Sequence, residues 1–337
     1  MKTSLIVNSL DNSISLNYAK ISDMVISALL EFGVTTTNYL VTSNFRAEFE
    51  RLIYSNDIDF LITLGNNSSQ IRGTKKVFAL PTEVEEINEF IDNAIIPFVQ
   101  SSTGHKYQTL CIKTFGVMEK DIKLLLAEYF NNENIIINTF AHDLDVKTVV
   151  KYDTDLDRNI SQDIISGIYG KLRKFIYTDD NISLYHLAVD LLKISNKKIA
   201  IAETITKGRI IDNLLLCENC DNRIIQGFVA PSALNLKDTL SIPEEQFNHG
   251  DNNVEICYEM AAGLLEKTNA DFVITNCGNL NQEFCYIAVG DIDGIHVYKN
   301  RCSGSADRLV ETLAKSSVFY LIKKIKQNDL FFNQIIV

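Results

Sequence analysis

Short apolar runs alternate along this chain with longer segments whose apolar residues fall three to four apart. That alternation restricts the fold more than any other feature. "SLIVN", "DFLITLG" and "KKVFALP" are compact enough for strands, whereas "KISDMVISALLEFG" and "FRAEFERLIYS" carry helical spacing, and Gly33 stops the first of these. Strands and helices taken in turn predict a parallel sheet with helices on its faces. The stretch "TEVEEINEFIDNAIIPFV" continues the alternation with another helical segment.

From about Thr109 the pattern changes to "TLCIKTF", a helix "MEKDIKLLLAEYF", then "NIIINTFA" and "DVKTVVKYD", which predicts a small α+β subdomain. A polar helix-and-linker passage, "DLDRNISQDIISGIYGKLRKFIYTDDNIS", marks a boundary. The α/β order then resumes with "LYHLAVDLLKIS", "KKIAIAE", "GRIIDNLLL", "IIQGFVA", "VEICYEMAAGLLEKTN" and the buried-looking strand "DFVITNC". "EFCYIAVG" and "IHVYKN" flank an Asp-Gly hairpin signal, and "ADRLVETLAKSSVFYLIKKIK" closes as a helix.

The 337 residues, 46% of them hydrophobic, suffice for more than one core. An excess of 43 acidic over 32 basic residues, a net charge of −11, opposes direct attraction to nucleic acid or an anionic membrane. "MKTSLIVNSLD" turns polar too soon for a leader's apolar core of about 7–15 residues, and no run reaches the roughly 20 that span a bilayer. Seven scattered cysteines read as reduced thiols, so the expectation is a cytoplasmic protein.

Cys217-x-x-Cys220 has no second pair to complete a four-ligand zinc site and reads as two thiols near a helix end. The five histidines stand apart from one another, and neither a metal nor a cofactor is implied. The stretch Lys197–Gly208, "KKIAIAETITKG", has a better claim. Its hydroxyls follow a strand and precede a helix, where unpaired N–H groups can be capped by a Thr or can hold an anion. Glu203, at the end of a strand in an α/β sheet, is placed to face the crevice where ligands bind.

These residues resemble a known family. "AETITKG" is similar to the A-E-S-x-T-G-G turn of the CinA family's C-terminal domain. "QGFVAPSALNLKDTLSIPEEQFNHG" resembles its G-x-V-x-Y-S-N-x-x-K segment and the G-V-x-E-E-x-L-x-x-H-G that follows. "VEICYEMAAGLLEKTNADFVITNCGN" resembles E-x-A-x-x-M-A-x-G with the T-G-I-A-G loop, and "CSGSADRLVETLAKSSVFYLI" resembles F-x-G-D-R and the last helix. "DFLITLG", "VFALPTEVEEINEFIDNAIIPFV" and "LCIKTFGVMEKDIKLLLAEYF" look like blocks of the N-terminal molybdopterin-binding-like domain and the subdomain behind it. The resemblance implies an α/β fold in three parts: a reduced three-layer molybdopterin-binding-like domain over 1–105, an α+β subdomain and linker over 106–180, and a CinA C-terminal domain over 181–330.

This family includes nicotinamide mononucleotide deamidases, and the resemblance implies roles position by position. Thr204 stands where those enzymes have the Ser nucleophile, Pro231 where they have Tyr, and Leu236 where they have Lys, with Lys237 displaced by one residue. Thr275-Asn-Cys-Gly-Asn279 replaces the T-G-x-A-G nucleotide loop, and Gly304-Ser-Ala306 replaces G-D-R. Glu203, Thr206, Gly208, Ser232 and Thr275 match the pattern and are the expected ligand-binding residues. In the N-terminal half only Asp11 and Gly65 remain of two acidic and glycine-rich motifs, some of whose bearers hydrolyse ADP-ribose with a metal. Ile71 and Arg72 replace the paired acids, and a stretch of the family's domain is missing between Gly73 and Lys75.

The expectation is a catalytically impaired relative that binds a nucleotide or a partner and forms a homodimer through its C-terminal domain. Two alternatives stay open: an amide hydrolase using Thr204 with Lys237 or Lys207 as base, and a scaffold linked to competence or recombination.

Overall fold

The structure, a computed structural model, describes residues 1–9, 18–31, 34–64, 70–72, 75–81, 87, 90–103, 107–142, 144–153, 156–218, 220, 222–250 and 253–335. Asp11, Gly65 and Gly73 lie outside the described residues. The chain divides into two compact units, one of Met1–Ile112, Glu119–Phe140 and Lys147–Arg173, the other of Lys113–Met118, Ala141–Val146 and Lys174–Val337.

In the first unit β1 (Lys2–Asn8), β2 (Thr35–Thr42), β3 (Phe60–Leu64), β4 (Gln70–Arg72) and β5 (Lys75–Leu80) form a sheet in the order β2-β1-β3-β5-β4. Its pairings are parallel except β4 with β5, as the strand–helix alternation requires. Successive residues of the central strands face opposite sides. Ile6, Leu61 and Val77 pack with Phe49 and Leu52 of α2 (Phe45–Ile53). Leu5, Val7, Phe60 and Ile62 pack with Val25 and Leu29 of α1 (Tyr18–Glu31) and Val99 of α3 (Ile96–Thr103). The edge strand β2 is threonine-rich and nowhere fully buried, so its sequence carries little of the apolar signal that marks β1 and β3.

The middle of the chain supplies β6 (Tyr107–Phe115), β7 (Ile135–His142), β8 (Asp145–Asp153) and β9 (Ile176–Thr178), in the order β7-β8-β6-β9. The single helix expected at "MEKDIKLLLAEYF" is broken at Leu126 into α4 (Glu119–Leu125) and α5 (Ala127–Phe130). The polar passage before residue 184 holds a full helix, α6 (Arg158–Leu172). Asp157 caps it by accepting the Asn159 N–H at 2.8 Å, and Ile164, Ile168 and Leu172 form its buried face.

The second unit holds α7 (Leu184–Ile194), β10 (Ile199–Glu203), α8 (Arg209–Leu215), β11 (Ile224–Val229), α9 (Lys237–Leu240), α10 (Val254–Thr268), β12 (Phe272–Gly278), β13 (Phe284–Asp291), β14 (Gly294–Arg301) and α11 (Ala306–Ile335). Its sheet runs β11-β10-β12-β13-β14, parallel through β12 and antiparallel beyond. Ile199, Ile201 and Ile274 face α7, α8 and α11, while Ala200, Ala202 and Val273 face α10. The Asp-Gly signal marks the hairpin, but the tip is Ile292-Asp293, with Asp291 and Gly294 paired across it. The Asp291 carboxylate accepts the N–H groups of Asp293 and Gly294 at 3.0 Å each, which fixes the turn. Among the described residues no helix is long and apolar enough to cross a membrane.

Gly263 is where α10 meets α9. A methyl group built on it would coincide with the carbonyl oxygen of Leu240, the last residue of α9. Only a residue without a side chain permits this approach. Lys267, one turn further along α10, donates to the Thr239 carbonyl and so ties the same contact from the other side. Gly263→Ala is expected to cost at least about 2 kcal/mol, because backbone rather than a movable side chain must give way. Urea unfolding of the two proteins, compared by midpoint at equal slope, measures it.

Candidate functional site

The strand β10 is the switch point of the second sheet. The chain leaves it through α8 to β11 on one side, and β12 lies on the other. The carboxyl ends of these three parallel strands therefore diverge around one crevice, where α/β sheets place their ligands. A pocket of about 420 Å³ lies there. Thr204, Ile205 and Lys207 come to it from the turn after β10, Pro231 and Ser232 from the end of β11, Gly278 to Asn281 from the end of β12, and Ala306 from the start of α11. Segments that the sequence matched to separate family motifs thus meet at one place.

Glu203 does not face that pocket. It is fully buried, and its carboxylate turns under the start of α8. Oε1 accepts the Ile211 N–H at 2.8 Å, and Oε2 accepts the Ile210 N–H at 3.1 Å and the Thr206 hydroxyl at 2.6 Å. Gly208 leads into the helix at φ 85° and supplies no side-chain cap, so the strand-end carboxylate does a capping residue's work from seven and eight residues away. Burial raises the Glu203 carboxyl above its usual range, and the hydrogen bonds from Thr206, Ile211, Ile210 and Gly208 oppose that rise.

A side chain that sequence reasoning noted only as a lost glycine organises the rest. Asn276, in β12, is fully buried. Its Oδ1 accepts the N–H groups of Thr204 at 2.9 Å and Ile205 at 3.0 Å, and its Nδ2 donates to Thr206 Oγ1 at 2.7 Å. Thr204 is 4% exposed, and its hydroxyl donates to the Asn276 carbonyl oxygen at 2.8 Å. The signal that could have identified this residue was an amide in an otherwise apolar strand, "FVITNCG", where strands seldom place one.

The remaining predicted residues divide between the pocket and its surroundings. Ser232 lines the pocket and donates to Asn235 at 2.9 Å. Thr275 is fully buried, is not among the pocket's lining residues, and donates to the Cys257 carbonyl at 3.0 Å, which ties β12 to α10. Lys237 is not among the pocket's lining residues and pairs with Glu244 at 3.2 Å. Lys207 does line the pocket, on a backbone with φ 54°. The left-handed region costs an ordinary residue roughly 1–2 kcal/mol and costs glycine almost nothing, which accounts for a Gly-Gly pair in the similar turn. Among the described residues the lining holds this one cation and neither a carboxylate nor an imidazole. Cys217 and Cys220 are both buried, burial pushes the Cys217 thiol up to about 11, and no group of three or more ligands for a metal ion is found among the described residues.

Two substitutions test this geometry. Glu203→Ala strands two backbone N–H groups and a hydroxyl in a buried site, and is expected to cost about 2–4 kcal/mol by denaturant unfolding. Lys207→Gly relaxes the left-handed backbone and is expected to be neutral or to stabilise by up to about 1 kcal/mol, whereas Gly208→Ala, at φ 85°, costs about 1–2 kcal/mol.

Comparison with known proteins agrees with the assembled motifs. Residues 181–283 match the family model described as the CinA C-terminal domain. A protein of Caldicellulosiruptor saccharolyticus described as competence-damage inducible is 24% identical over 266 residues, covering 74% of this chain and 64% of that one. A CinA-like protein of Chloroherpeton thalassium is 25% identical over 210 residues, covering 60% of this chain and 50% of that one. The chain thus spans less than two thirds of the length of these relatives. Among solved structures, a CinA superfamily protein of Enterobacter cloacae aligns with a TM-score of 0.41 at 20% identity, over 44% of this chain and 96% of that one. Residues 181–283 thus form a CinA C-terminal domain.

Proposed function

We propose that the C-terminal unit is a binding module for a mononucleotide-class ligand and does not hydrolyse it. The observation that carries this reading is where the Thr204 proton goes. A hydroxyl nucleophile needs a neighbouring base, and the Thr204 hydroxyl donates instead to a backbone carbonyl, which takes no proton at neutral pH. The N–H groups of Thr204 and Ile205 would be natural donors to a developing oxyanion after attack at residue 204, and both point at Asn276 Oδ1. The methyl group of Thr204 further restricts its χ1. Left to the pocket are Lys207 and the Asn279 and Asn281 amides, a set suited to one anionic group and its polar surroundings.

One observation favours a second reading, an amide hydrolase. Lys207 shares the pocket with Thr204, so it is the better placed of the two lysines to act as base. Homodimer formation through the C-terminal unit belongs with either reading. The edge strand β11 supports it, with Ile225 36% and Val229 56% exposed, and light scattering on the purified chain tests it.

The binding reading predicts that incubation with nicotinamide mononucleotide releases no ammonia. It also predicts that mononucleotides raise the melting temperature of the wild type in proportion to occupancy. Lys207→Ala should weaken that binding by roughly 10-fold or more, the worth of one charge-assisted hydrogen bond. Ammonia release that disappears in Thr204→Ala would replace this reading with the hydrolase.

A further inference from the structure

We propose that the space beneath the turn Thr204–Ile205–Thr206 is a carboxamide-binding site whose built-in occupant is the Asn276 side chain. The inference rests on the reading of this turn as the wall of a binding pocket rather than a catalytic elbow.

The polarity of the site is set from below. Glu203 Oε2 accepts a hydrogen bond from the Thr206 hydroxyl at 2.6 Å, so the Thr206 oxygen is left to accept, and whatever faces it must donate. A few ångströms away the N–H groups of Thr204 and Ile205 both donate, so whatever faces them must accept. One donor and one double acceptor, held at the spacing of a planar amide, describe a primary carboxamide. A carboxylate satisfies the two N–H groups but sets a second acceptor against Thr206 Oγ1, next to the buried Glu203. An amide turned end for end sets its N–H₂ group against two N–H donors. The site therefore selects both the group and its orientation.

Asn276 meets this specification without help from its place in the sheet. Its residue pairs with Ile287 across the β12–β13 ladder, which any residue type would satisfy, and its side-chain oxygen and nitrogen both bond to the turn. Thr204 and Ile205, whose N–H groups it holds, are themselves walls of the pocket above. Shortening the side chain at 276 would therefore open a polar space directly behind the pocket, with its donors and acceptor already in place.

The test is replacement of the side chain by its free equivalent. Full-length Asn276→Gly is heated with increasing acetamide, and with acetate at matched ionic strength as the control. The melting temperature of the variant should start below that of the wild type, climb with acetamide and saturate, with no comparable climb in acetate or in the wild type. A variant that responds to acetamide no more than the wild type does, or equally to acetate, overturns the proposal. If Asn276→Gly does not fold, Asn276→Ser retains one acceptor and allows the same comparison with the same two overturning results. Mononucleotide binding to the wild type is measured separately. Its failure would remove the ligand proposed for the pocket and leave the acetamide result standing.

Discussion

A buried carboxyl group with no ion-pair partner among the described residues is the constraint on which the second unit's site depends. Glu203 sits at the end of β10 with no water-exposed surface, and its carboxyl group accepts hydrogen bonds from two backbone N–H groups of α8 and the Thr206 hydroxyl. Such a group is tolerable only if every donor stays in place. The requirement runs outward from there. Thr206 must present its proton to Glu203, so its oxygen must be met by Asn276, and Asn276 then fixes the N–H groups of Thr204 and Ile205. A chain of three side chains, Glu203, Thr206 and Asn276, thus ties the end of β10, the first turn of α8 and the end of β12 together.

The same chain separates two tasks that a strand–turn–helix unit can combine. In a nucleophile elbow the turn holds a reactive hydroxyl above free N–H groups. Here the hydroxyl and the N–H groups are all directed inward, to Asn276, while the outward side keeps Lys207 and the lining amides. On the binding reading proposed above, what the turn offers a ligand is charge and shape. Its interior takes up the Thr204 hydroxyl and the N–H groups of Thr204 and Ile205.

Much of this was legible in the sequence. Strand and helix order could be read in both units because the central strands are short and apolar and the helices keep their spacing, as in β3, β10 and α10. The motif matches brought Thr204, Ser232, Gly278 and Ala306 to one pocket, though they lie far apart in the chain. Direction was less legible. Glu203 and Thr275 belong to the right strands but face inward, because period-two alternation assigns a face only once the register is known. Asn276 was hidden for a different reason. A substitution away from glycine reads as a loss in sequence, and only three dimensions show the hydrogen bonds gained. Leu126 and β2 were missed because a helix break at a buried leucine and a half-exposed threonine edge leave no apolar pattern.

The turn from parallel to antiparallel pairing at β12 also governs how the crevice can be reached. A parallel neighbour would need a helical crossover arching over the strand's carboxyl end. β13 instead returns directly after residues 279–283, so the rim on that side is a short polar turn lined by Asn279 and Asn281. A ligand arriving there crosses a low sill of amides with no helix to displace. Lengthening or shortening this one connection would change the door while leaving the floor beneath it untouched.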